Sequence, residues 1–168
     1  GSYINLTDSL EEIKSKIDNT RIKISGYYIS YQNFFLNKPL QYGGEDYKML
    51  RLFRRIKLYI EPSLVHNKIE VKDKRISYLK GKIFHHSYRS LPQMFRKFTD
   101  YGIRMAKKKY LAGEKSSLKK IFLYPTHLFW ARFINDQGYK DGLFRIPLDL
   151  GFAYMEFITY FLLLFKNK

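Results

Sequence analysis

The hydrophobic period of this chain changes from strand-like to helical at Leu91, and that change restricts the fold more than any other feature. Before it, "TRIKISGYYISYQNFFL", "YKMLRLFRRIKLYIE", "VHNKIEV" and "ISYLKGKIFHH" are rich in β-formers, and Ile22 and Ile24 alternate with Arg21, Lys23 and Ser25. Beyond it, apolar residues at 91, 94, 95, 98, 101, 102 and 105 follow helical spacing, while Arg96, Lys97, Arg104 and Lys108 point elsewhere. Pro92 suits a first helical turn and Gly113 an exit. "SSLKKIFLYPTHLFWARFIND" predicts a second helix, interrupted or started at Pro125. "IPLDLGFAYMEFITYFLLLFKNK" predicts a third with very little polar surface. A further helix opens the chain at "NLTDSLEEIKSKIDN", capped by Thr7 or Asp8, with Leu10, Ile13 and Ile17 on its apolar face.

The expected class is therefore α/β, or α+β if the chain is a fragment: a short mixed sheet followed by about three helices. Nothing marks a linker or a repeat, so residues 3–168 read as a single domain, with a helix and strands over 3–90 and a helical region over 91–168. Gly1-Ser2 reads as a cloning remnant, which raises the expectation that the chain is a piece of something longer.

Chemistry is limited first by composition. There is no cysteine, so disulfides and thiolate metal sites are excluded. The net charge of +16 favours anionic partners: nucleic acid, anionic lipid headgroups or a phosphorylated small molecule. A nonenzymatic module binding nucleic acid or an anionic membrane is one alternative. No RNP, KH, zinc or helix-turn-helix signature supports the nucleic-acid form of it. The last helix carries "FITYFLLLF", too short an uncharged run to span a membrane, but suited to a core, to a contact with a missing domain, or to an interfacial anchor with Lys166 and Lys168 at the headgroups.

Two stretches carry candidate site residues. In "YGGEDYKMLRLFRR", Gly43-Gly44 allows a left-handed backbone, and Glu45 and Asp46 follow at once. Either carboxylate suits a general base, and Arg51, Arg54 and Arg55 suit phosphate or a second carboxylate. A plain turn entering a basic strand accounts for the same residues. In "HHSYR", neighbouring strand residues face opposite sides, so His85 and His86 have different surroundings. Neutral imidazole ligates divalent metals, yet two histidines are not a complete site, and any missing ligands would be carboxylates from elsewhere. His66 is a lone histidine in or beside a strand, a position that more often serves packing or faces solvent.

Taken together, "YGGEDYKMLRLFRR", "VHNKIEV", "YLKGKIFHHSYRSLPQMFRKFTDYGIRMA" and "GYKDGLFR" resemble the second half of family 2 glycosyltransferases. The nearest subgroup is the bacterial enzymes that build lipopolysaccharide core and other surface glycans. The resemblance covers nearly the whole chain from Tyr3. It implies an incomplete GT-A fold, the acceptor side without most of the nucleotide-binding half and without its DxD motif. It implies an inverting, metal-dependent sugar transfer from a nucleotide-sugar donor to a glycan or glycolipid, at or near the inner face of the cytoplasmic membrane. By the same resemblance Asp46 is the catalytic base, with Glu45 as the alternative, and His85 binds the divalent metal, Mn²⁺ or Mg²⁺. Arg51, His66, His86, Tyr88 and Arg89 then contact the donor diphosphate or the acceptor. The fragment alone is expected to bind no metal tightly and to be inactive. The chain departs from the family pattern at His66-Asn67, where relatives read His-Glu.

Overall fold

A computed structural model of the chain describes residues 2–4, 11, 14–15, 24–53, 58–61, 68–71 and 75–166. The strands are followed by the long helices, so the fold is α+β: a small sheet and then, among the described residues beyond it, three α-helices. The strands are β1 (Ser2–Ile4), β2 (Gly26–Phe35), β3 (Lys38–Pro39), β4 (Lys48–Phe53), β5 (Leu58–Glu61), β6 (Lys68–Val71) and β7 (Ile76–Tyr88). The helices are α1 (Leu91–Leu111), α2 (Leu118–Trp130) and α3 (Ile146–Lys166). Of the expected opening helix, Glu11, Lys14 and Ser15 are helical. Its caps and apolar face lie outside the described residues, as do Arg54, Arg55, His66 and Lys168.

The chain divides into two compact units. The first comprises residues 1–34 and 45–87, the second residues 35–44 and 88–168. The division falls close to the change of period at Leu91, but the loop ending in Gly43-Gly44 belongs with the helices.

In the first unit β7 lies between β1 and β2, and β4 runs antiparallel to β2. β5 and β6 form a separate antiparallel pair. Tyr27 and Ile29 of β2 and Leu79 and Ile83 of β7 are buried together, with Ile24, Tyr31 and Leu52 packed around them. These are odd-numbered residues on both strands, so one face of the sheet is the core face. Burial of each large side chain there contributes roughly 1.5–3 kcal/mol.

In the second unit Ser90 caps α1 by accepting a hydrogen bond from the backbone N–H of Gln93, with Pro92 in the first turn, as the sequence suggests. α1 and α3 approach closely at two glycines. A Cβ on Gly102 would come within 3.0 Å of the Met155 carbonyl oxygen, and one on Gly151 would overlap the Phe98 ring. Phe35, Leu40, Met94, Phe98 and Leu148 form the main core of this unit, and Ile121, Tyr160 and Leu163 form a second cluster between α2 and α3. Pro125 lies inside α2, which runs through it and continues as a π-helical turn over Ala131–Asn135.

Candidate functional site

The pairing of β4 with β2 dictates the site. Ser30 faces Lys48, and the ladder continues past the end of β4 with the Tyr31 N–H donating to the Tyr47 carbonyl. Two residues further along, antiparallel geometry sets Asn33 opposite Glu45. The Asn33 amide nitrogen donates to the Glu45 carboxylate at 2.9 Å, and its Oδ1 lies 3.0 Å from Nδ1 of His85 on the next strand. The Ser87 hydroxyl is 2.8 Å from the same ring nitrogen. Asn33 is only 2% exposed, so its amide must be satisfied from within the protein.

That requirement fixes the orientation of the amide. Reversed, it would set an amide oxygen against the Glu45 carboxylate. With the nitrogen toward Glu45, Oδ1 can only accept, so Nδ1 of His85 carries the proton and Ser87 accepts from it as well. A neutral His85 then has its lone pair on Nε2, the nitrogen able to take a proton or a ligand. Tyr47 also hydrogen-bonds Asn33, and burial holds its hydroxyl above the usual phenol range, so it stays neutral.

Aromatic rings frame this polar chain. The Tyr31 ring stands edge-on to His85 and stacks on Tyr47. Its hydroxyl accepts a 2.7 Å hydrogen bond from Nε of exposed Arg51, whose guanidinium lies over the Tyr31 ring. Tyr31, Asn33, His85 and Ser87 occupy the same sheet face as the core residues Tyr27, Ile29, Leu79 and Ile83. Along β2 and β7 that face therefore turns from apolar to polar.

The expected residues separate into groups. Glu45, His85 and Arg51 come together in the first unit. Asp46 is exposed and makes no hydrogen bond or ion pair among the described residues. His86 faces the other side of the sheet, where it stacks on Phe34 with ring centroids 4.5 Å apart. Tyr88 belongs to the second unit, its ring packed on Phe98 and beneath Lys97. Arg89 is an exposed residue ahead of α1, its backbone N–H donating to Gln93. His66 lies outside the described residues. Among the described residues no group of three or more His, Asp or Glu side chains gathers as a metal site.

Sequence reasoning missed Asn33 and Ser87. The signal was present: "SYQNFF" places an amide in mid-strand among aromatics, where burial demands polar partners. It also missed a polar centre in the second unit, where Arg145 is 0% exposed. Its guanidinium donates to both Asp149 carboxylate oxygens, to Asp141, and to the carbonyls of Tyr42 and Gly43, which uses all five N–H groups. Arg132 donates to Asp149 and lies over the Phe152 ring.

No protein-family model matches the chain, and neither does any curated protein or solved structure.

Proposed function

We propose that this chain is the acceptor-side part of a glycosyltransferase that moves a sugar from a nucleotide-sugar donor to a glycan or glycolipid with inversion. The observation that carries the reading is the meeting of Glu45, the neighbour of Asp46, with His85 through Asn33. Two stretches that resemble glycosyltransferase motifs, distant in sequence, are joined by one buried amide.

The two carboxylates divide the work. Glu45 is engaged with Asn33 and acts as a positioning residue. Asp46, exposed and next in the chain, takes the proton of the acceptor hydroxyl. The hydroxyl oxygen bonds to the anomeric carbon as the bond from that carbon to the diphosphate breaks, and the diphosphate leaves with the electron pair. Arg51 supplies positive charge beside His85 for the departing group. The main donor pocket lies outside this chain, so positioning of the donor is absent from it when isolated.

The test is acceptor-dependent release of nucleoside diphosphate from a panel of nucleotide sugars, run on the full-length protein and on this chain alone. The full-length protein turns over one donor and the chain alone shows little or no transfer. No turnover of any donor by the full-length protein sinks the transferase reading, and robust transfer by the isolated chain overturns the fragment reading.

A further inference from the structure

We infer that the outer face of α2 docks onto an anionic lipid surface. The inner side of α2 is anchored through Ile121 against Tyr160 and Leu163 of α3. The other side displays apolar residues to solvent: Leu118 and Phe122 are each 67% exposed and Trp130 is 57% exposed, with Leu123 half exposed between them. At 100° per residue, positions 118, 122, 123 and 130 fall on one side of the helix, a sector they share with exposed Lys119 and Thr126. Large exposed apolar side chains gathered on one side of a charged protein mark an interaction surface.

Charge selects the occupant. From Lys115 to Asn135 there is no Asp or Glu, and exposed Lys119 lies among these apolar residues with exposed Lys115 just ahead of the helix. Residues 88–168 hold fifteen Lys and Arg against six Asp and Glu. Three of those acids are already engaged, Asp141 and Asp149 by Arg145 and Glu114 by Lys109. A second copy of so basic a chain is repelled, whereas acidic headgroups are attracted and accept hydrogen bonds from the lysines. The single tryptophan at the end of α2 is the side chain best suited to the boundary between headgroup and acyl chain.

The contact is interfacial. At about 1.5 Å per residue, the 13 residues of α2 are too short to cross a bilayer. The apolar segment Leu143–Phe165 has the length and composition to cross, but Leu148, Thr159, Tyr160 and Leu163 within it are buried in the unit. The proposed docking surface is the outer side of α2. It does not rest on the transferase reading.

Trp130 is the built-in probe. The chain is titrated with vesicles of phosphatidylglycerol and phosphatidylcholine, and with phosphatidylcholine alone. On the anionic vesicles the account expects a blue shift of Trp130 emission and quenching by acyl-brominated lipid, with far less on the neutral ones. Replacing Leu118→Ser and Phe122→Ser together lowers partitioning at least about tenfold, since each buried side chain contributes that order. Both positions are exposed, so unchanged circular dichroism confirms the fold. Absence of binding overturns the inference. So does binding with no blue shift, or binding indifferent to the double substitution, because either means charge-only adhesion elsewhere. Stronger protection of Trp130 from acrylamide by single-stranded RNA than by vesicles also overturns it and assigns the face to nucleic acid.

Discussion

Asn33 is the residue on which the first unit's polar site turns. A buried amide has two distinct ends, and the Glu45 carboxylate decides which end faces His85. Replacing Asn33→Leu removes that constraint and leaves Glu45, Tyr47 and Nδ1 of His85 without this partner. The expected cost is about 1–3 kcal/mol of stability. The more specific consequence is a change in the His85 ring. Nitrogen-15 NMR at neutral pH should find the proton on Nδ1 in the wild type and a shift toward Nε2–H in the variant. Wild-type His85 carrying its proton on Nε2 would show that the relay from Glu45 does not operate. At this scale the sequence was legible in residue type but not in partnership. It marked Glu45, Asp46, Arg51 and His85, and it placed the two adjacent histidines on opposite faces, which the contacts to Asn33 and Phe34 bear out. The partner Asn33 was hidden because only strand register sets it opposite Glu45, and register depends on both strands at once.

At the scale of elements, the second unit's loop over residues 41–44 is held by a buried cation. Arg145 grips two backbone carbonyls of the loop and two carboxylates, and Asp141 also accepts from the N–H groups of Gln41 and Tyr42. Gly43 has φ +65°, and a Cβ there would run into the guanidinium. Gly43 is thus required both by backbone conformation and by the approach of Arg145, and Gly44, with φ +76°, by conformation. Replacing Arg145→Met leaves the Asp141 carboxylate and two carbonyls without their cation and Asp149 with Arg132 as its remaining cation, and should cost about 3–5 kcal/mol in chemical denaturation. A loss under about 1 kcal/mol would mean that the loop has another anchor. "GYKDGLFR" forms two short 3₁₀ helices, Gly138–Asp141 and Leu143–Arg145. That Asp141, Arg145 and Asp149 recur at four-residue intervals was the available clue to their ion pairs. The helices were read more fully, because Pro92 and Gly113 act locally on α1. α2 was less legible because Pro125 usually ends or bends a helix, and here the helix continues through it.

For the whole molecule, the change of period at Leu91 foretold strands before helices, since periodicity reports which face each element buries. The two compact units were not foretold, because the 35–44 loop leaves the strand region of the sequence to join the helices. Function at this scale rests on the transferase reading, and within it on the division between the two neighbouring carboxylates. The most direct measurement is kcat of sugar transfer by the full-length protein carrying Asp46→Asn or Glu45→Gln, with donor affinity measured alongside. The account predicts that Asp46→Asn lowers kcat by roughly 10²–10⁴-fold with donor affinity nearly unchanged. Glu45→Gln, which keeps an oxygen to accept from Asn33, should lose far less. Near-normal turnover by Asp46→Asn, or a greater loss from Glu45→Gln, would contradict it.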